Sequence, residues 1–226
     1  MGPHVREISN EVFQVGGRGL TASEDAAIYL LTTGAEAALI DAGCGQATDL
    51  LLANIEAAGV SAARVRWLLL THCHFDHTGG AEEVRRRLGC LSAAHELDAA
   101  FIEAGDNDVC AASWYNSRLT PCPIDRKLRG PRETLVLGAS TIEAIHIPGH
   151  SPGSVAYLFE SAGRRILFGQ DVHGPLAASL RSNADDYQRS LQTLLALEAD
   201  VLCEGHYGIF RGRQEVAAFI RRFIDG

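Results

Sequence analysis

Trp67-Leu68-Leu69-Leu70-Thr71-His72-Cys73-His74-Phe75-Asp76-His77 sets three imidazoles and a carboxylate directly behind an apolar run. A short apolar stretch bounded by polar residues is the pattern of a buried strand, expected here over Val65 to Leu70. Imidazole nitrogens clustered with a carboxylate at such a strand end point to a metal site for zinc, iron or manganese; magnesium and calcium favour mostly oxygen. If extended backbone continues through the cluster, His72 and His74 project to one side and close on one ion. Asp76 and His77, on the following turn, then reach a second. A helix-capping role for Asp76, ahead of the helix after Gly79-Gly80, would explain one carboxylate and leave three histidines unused.

Open α/β folds gather their sites at the carboxyl ends of strands, so partners are sought at other strand ends. Thr141 to Ile147 alternates as a half-buried strand and enters the rigid turn Pro148-Gly149-His150-Ser151-Pro152-Gly153, which presents His150. Arg165 to Gly169 delivers Asp171 after Gln170. Asp200 to Glu204 leads to Gly205-His206-Tyr207-Gly208, where flanking glycines permit close backbone approach and leave His206 projecting. Together with the first cluster these supply seven ligands, enough for two ions.

With these residues in this order, the chain resembles the metallo-β-lactamase fold superfamily from about Asn10 to Phe223. Thr71 precedes a match to its HxHxDH motif (His72, His74, Asp76, His77), and His150, Asp171, His206 and the early Asp41-Ala42-Gly43 match its later and earlier signatures. The resemblance implies an α/β fold of the four-layer αββα kind, with the site in the groove between two sheets. It implies that His72, His74 and His150 hold one ion, that Asp76, His77 and His206 hold another, that Asp171 bridges them, and that Asp41 supports the ligands from behind. Two zinc ions are expected, with iron or manganese as alternatives. The implied activity is hydrolysis of a small thioester or lactone by a hydroxide shared between the ions, Asp76 and Asp171 being the catalytic carboxylates. The lactonase and glyoxalase-II-like groups share the full ligand set, although the helical domain of the latter is not expected here after His206. A mononuclear iron persulfide dioxygenase using only His72, His150 and Asp171 is the other activity the resemblance allows.

Composition fits one well-filled domain over 1–226, since 226 residues with 46% hydrophobic content suffice for a sizeable core. A formal charge of -8, from 28 acidic against 20 basic side chains, argues against nucleic-acid or anionic-membrane partners and for a small-molecule substrate. No stretch approaches the roughly eighteen apolar residues of a membrane span, and Met1-Gly2-Pro3-His4-Val5 lacks a basic region followed by an apolar core. A cytoplasmic protein is expected, with Cys44, Cys73, Cys90, Cys110, Cys122 and Cys203 as free thiols. Helices are expected over Thr48 to Ala58, Ala81 to Leu88 with Arg85-Arg86-Arg87 facing solvent, Asp186 to Leu197 with Leu191, Leu194 and Leu195 inward, and Gln214 to Ile224. Residues 98–133 break the strand-helix rhythm; a connection this long is expected to act as a lid over the pocket or as a homodimer contact. Trp114 and Tyr115 in it, with Tyr157 and Tyr207, are the candidate substrate-pocket residues. Cys73 is expected to be a core thiol, and Ser151 to shape the His150 turn.

Overall fold

The computed structural model describes Gly2 and residues 4–224; Met1, Pro3, Asp225 and Gly226, which the 1–226 domain reading includes, lie outside the described residues. The first sheet runs in chain order: β1 (Arg6–Ser9), β2 (Val12–Gly16), β3 (Ile28–Thr32), β4 (Ala37–Ile40), β5 (Val65–Leu69), β6 (Leu91–His95) and β7 (Arg126–Leu128). Its first four strands pair antiparallel; β4 to β7 pair parallel. Between them stand α1 (Thr48–Ala57), α2 (Phe75–Thr78), α3 (Ala81–Leu88) and α4 (Glu96–Ala104). The second sheet comprises β8 (Arg132–Leu137), β9 (Ser140–His146), β10 (Val155–Ser161), β11 (Arg164–Gln170), β12 (Val201–Glu204) and β13 (Ile209–Arg211), in the reverse spatial order β13 to β8. A crossover through α5 (Ala184–Ala196) makes β11 and β12 parallel, and α6 (Arg213–Arg221) follows β13.

The period-2 geometry of strands sorts these residues into layers. In the first sheet Leu30, Leu39 and Leu68 face Leu51 and Ile55 of α1 and Val84 of α3. Their neighbours Tyr29, Leu31, Ile40 and Leu69 face Tyr157, Phe159 and Phe168 of the second sheet. The other face of that sheet, through Leu158 and Leu167, packs on Leu191 and Leu194 of α5 and Phe219 of α6. Both faces of each sheet are therefore covered, which is why β3, β4 and β5 read as nearly unbroken apolar runs. Removing each such large side chain from water contributes about 1.5–3 kcal/mol. The result is the four-layer αββα sandwich.

Several local expectations are corrected. β5 stops at Leu69, so Thr71 to His74 form a loop and strand alternation does not place the first two histidines. Asp76 sits in the first turn of the one-turn α2 and caps no helix, so the capping alternative set aside above is not what the structure shows. Leu195 is half-buried and packs on the α5 side of the core as expected, whereas Arg85 does not simply face solvent but pairs with Asp125 at 2.9 Å. The edge strands β1, β7 and β13 were not expected: they are three or four residues long, too short to show an alternating pattern, and β1 and β7 are largely polar.

Candidate metal centre

The carboxyl ends of β4, β5, β11 and β12 converge, and the turn after β9 meets them there. Behind them lies Asp41, fully buried and left-handed at φ +62°. One of its oxygens, Oδ1, accepts the backbone N–H of Thr71 at 2.8 Å; the other, Oδ2, accepts the Thr71 hydroxyl at 2.8 Å, His77 Nδ1 at 2.7 Å and the Gln170 amide. Four donors hold a conformation that an isolated aspartate visits rarely. These hydrogen bonds fix the loop after β5 and the His77 ring together.

His150 is placed by the rigidity of its turn. Pro148 accepts the Ser190 hydroxyl of α5 at 2.6 Å, and Gly149, at φ +134°, lies so close under α5 that a Cβ would come within 2.2 Å of Tyr187 N. Gly205 has the same role before His206: a Cβ there would meet Asp171 Oδ1 at 2.5 Å. Glu204, buried at the end of β12, accepts the N–H groups of His206 and Tyr207 at 2.7 and 2.8 Å.

These supports bring all seven predicted side chains together. His72 Nε2 and His150 Nε2 stand 3.3 Å apart, and Asp171 Oδ2 lies 3.9 and 3.4 Å from them. The other oxygen, Asp171 Oδ1, lies 3.2 Å from His77 Nε2 and 3.4 Å from His206 Nε2, and His206 Nε2 is 3.2 Å from Asp76 Oδ2. His72, His74, His150 and Asp171 thus form one group able to hold an ion; Asp76, His77 and His206 form a second.

Hydrogen bonds on the far sides of the rings determine where the ring protons go. His150 Nδ1 donates to the Pro175 carbonyl at 2.8 Å, and His72 Nδ1 at 3.1 Å donates to the Thr71 oxygen, whose own proton goes to Asp41. Their Nε2 lone pairs consequently face each other across 3.3 Å, an arrangement that a cation between them relieves. Buried His74 Nε2, His77 Nε2 and Asp171 Oδ1 have no hydrogen-bond partner. Buried polar atoms left without partners are costly unless another group completes them. Donor type, spacing and these orphaned atoms all fit metal ions.

The electrostatics differ between the two halves. Burial and the neighbouring histidines hold His72 well below the ordinary imidazole value, and burial followed by His150 takes His74 down to about 3. Burial also opposes charge on His77, yet Asp171, Asp76 and Asp41 together raise it well above normal. His206 is raised to about 10: burial lowers it, but Asp171 and Asp76 prevail. His72 and His74 are therefore neutral, and protons on His77 and His206 balance the carboxylates of the second group; a cation entering there displaces them.

A cavity of about 130 Å³ opens onto the centre, lined by His74, Asp76, His206, Trp114 and Tyr115 among others. Trp114 is 57% exposed and so does not sit in a satellite core. Tyr115 packs on Phe75 with ring centroids 5.5 Å apart, and burial together with the Asp76 carboxylate raises its phenol far above the usual value, keeping it protonated. Tyr157 is corrected: it is fully buried between the sheets with its hydroxyl on the Leu70 carbonyl at 3.0 Å, so it reaches no pocket. Tyr207 is exposed and lines a different cleft beside His206, with Arg6 and Arg18. Cys73 is wholly buried with a raised pKa from burial first and then Cys110 and Asp98, which makes it a poor nucleophile; all six cysteines are free. Sequence reasoning missed His173, whose Nδ1 is 2.7 Å from Glu204 Oε1 and which lines the same cavity as Trp114. Its signal was the spacing Asp171-Val172-His173. Among the described residues, no helix is long and apolar enough to cross a membrane.

Comparison with known proteins agrees with this geometry. Residues 24–206 match the model of the metallo-beta-lactamase superfamily. The chain is 36% identical over 157 residues to a hydroxyacylglutathione hydrolase of Anaeromyxobacter dehalogenans, covering 70% of this chain and 50% of that protein. It is 29% identical over 231 residues to an acyl-coenzyme A thioesterase of Gallus gallus, covering 91% of this chain and 80% of that protein. Its structure resembles a class B3 di-zinc metallo-beta-lactamase from an Alaskan soil metagenome, with a TM-score of 0.77, 27% identity, and coverage of 91% and 79%. The chain spans only about half the length of the first of these relatives.

Proposed function

The chain belongs to the metallo-beta-lactamase superfamily, and on that premise we propose that it is a dinuclear metal-dependent hydrolase acting on small thioesters or lactones. The observation that carries this reading is the division of Asp171, with Oδ2 toward His72 and His150 and Oδ1 toward His77 and His206. One carboxylate serving two ligand groups is the arrangement of a bridged pair. His72, His74 and His150 would hold one ion, and Asp76, His77 and His206 the other. Two cations there would lower the pKa of a water toward neutrality and withdraw charge from a substrate carbonyl. Zinc suits the donor set; iron and manganese are the alternatives.

The remaining steps belong to the protein. Asp76 and Asp171 offset the positive charge of the centre, and Asp76 orients the attacking water. Asp41 keeps His77 in the tautomer that presents Nε2 forward. Trp114 and Tyr115, from the 98–133 segment, form one wall of the cavity and receive the acyl or lactone portion; the protonated Tyr115 hydroxyl donates to an oxygen of the bound substrate. Thioesters are favoured by the two relatives named above, one by its name a hydroxyacylglutathione hydrolase and the other an acyl-coenzyme A thioesterase. A mononuclear persulfide dioxygenase would leave Asp76, His77 and His206 unused, although they are as closely gathered as the first group. The test is metal quantification on protein purified without added metal, followed by assay on thioesters, lactones and a persulfide. Two zinc per chain with oxygen-independent thioester or lactone cleavage supports the proposal; one iron with persulfide-dependent oxygen uptake overturns it.

A further inference from the structure

Another buried carboxylate stands behind the centre, and nothing in the hydrolytic chemistry uses it. Asp98, in the first turn of α4, is wholly excluded from solvent. Its Oδ2 accepts the backbone N–H of Cys73 at 2.9 Å and the hydroxyl of Ser151 at 2.5 Å, while Oδ1 accepts the backbone N–H of Gly153 at 2.6 Å. Cys73 stands between His72 and His74; Ser151 and Gly153 follow His150 in its turn. A single side chain therefore holds both stretches that supply the histidines of the first ligand group. The fit is tight, because a Cβ on Gly153 would come within 2.5 Å of Asp98 N and 2.7 Å of Asp98 Oδ1. No arginine, lysine or histidine lies within ion-pair distance among the described residues, so the donors of the two loops are what satisfy the carboxylate. A carboxylate buried this way is destabilising unless its partners stay in place, which makes the loops and Asp98 mutually dependent.

We propose that Asp98 is a positioning residue that clamps the Cys73 backbone to the Ser151-Gly153 turn and thereby sustains the His72, His74 and His150 ion position selectively. Asp41 and Asp98 support different parts of the centre. Asp41 grips Thr71 and the His77 ring, whereas Asp98 grips the backbone between His72 and His74 and the turn after His150. This rests on the two-ion reading above. Asn in place of Asp98 keeps the shape but puts an amide NH₂ where an acceptor is needed, against either Gly153 N–H or the Cys73 and Ser151 donors.

The experiment titrates zinc into chelator-stripped wild type, Asp98→Asn, Ser151→Ala and Ser151→Thr in competition with a chromophoric chelator, and records thermal unfolding of the same metal-free samples. Wild type takes up two equivalents. In Asp98→Asn one equivalent weakens by about 10–100-fold while the other holds, the range typical of lost support behind metal ligands. Ser151→Ala weakens the same equivalent less, and Ser151→Thr, which keeps the hydroxyl, restores it. If Asp98→Asn does not fold, the Ser151 pair decides. Two unchanged equivalents in the variants overturn the Asp98 role alone, as does a loss shared equally by both equivalents and tracking the unfolding temperature. Wild type that takes up no zinc overturns the two-ion reading and this role with it.

Discussion

Asp41→Asn separates support of the centre from ligation of the metal. The backbone at φ +62° tolerates asparagine, so strain changes little. With its remaining oxygen turned toward Thr71 Oγ1, His77 and Gln170, the substituted amide would set its NH₂ group against the Thr71 N–H that Asp41 Oδ1 now accepts at 2.8 Å. One hydrogen bond to a buried charged group is lost and its donor left unpaired, costing about 1.5–3 kcal/mol. For a chain of this length each kcal/mol lowers Tm by about 2–4 °C, so the metal-free variant should melt roughly 3–12 °C lower. The weaker acceptor also loosens His77, and affinity for the ion it serves should fall by about 10–100-fold. Calorimetry of the metal-free protein and chelator-competition titration measure the two effects. Unchanged melting together with unchanged zinc affinity would refute the reasoning, because four donors around one carboxylate could not then be what holds the loop.

Trp114→Ala should alter KM and the ranking of thioesters against lactones while zinc content stays constant, because the cavity wall sets recognition; a change confined to stability or oligomer size, with selectivity intact, would instead assign Trp114 to assembly. Acid stability should depend on Asp125, whose carboxyl is held at about 2 by its hydrogen bonds from Arg85, against the opposing effect of burial, with Ser92 adding to the depression. Since the unfolded value is about 3.9, this contribution is present above that pH and is lost as pH falls through about 2; urea unfolding of Asp125→Asn should differ from wild type at pH 6 and converge with it only below about pH 2.

The ligand set was legible because its chemistry is concentrated in contiguous runs: the cluster after Leu70, the Pro-Gly turn around His150 and the glycines around His206. The layers were legible for a similar reason, since a sheet covered on both faces needs apolar runs such as Tyr29-Leu30-Leu31. What escaped depends on contacts between distant segments. Asp98 reads as an ordinary first-turn helix acid until Cys73, Ser151 and Gly153 are found around it. Glu204 reads as the end of a strand until His173 meets it. Tyr157 was misplaced because alternation in β10 gives a residue's face but not which layer that face meets. The path of Thr71 to His74 follows from the grip of Asp41 and Asp98 on the loop, information that strand periodicity does not contain.

The bridging carboxylate is tested most directly by counting metal ions per chain, by mass spectrometry, in wild type and Asp171→Ala purified side by side without added metal. Two ions in wild type and no more than one in the variant are expected, because Asp171 alone among the described residues divides its two oxygens between the ligand groups. Two ions retained in Asp171→Ala, or a wild-type chain that never holds more than one, would contradict the account.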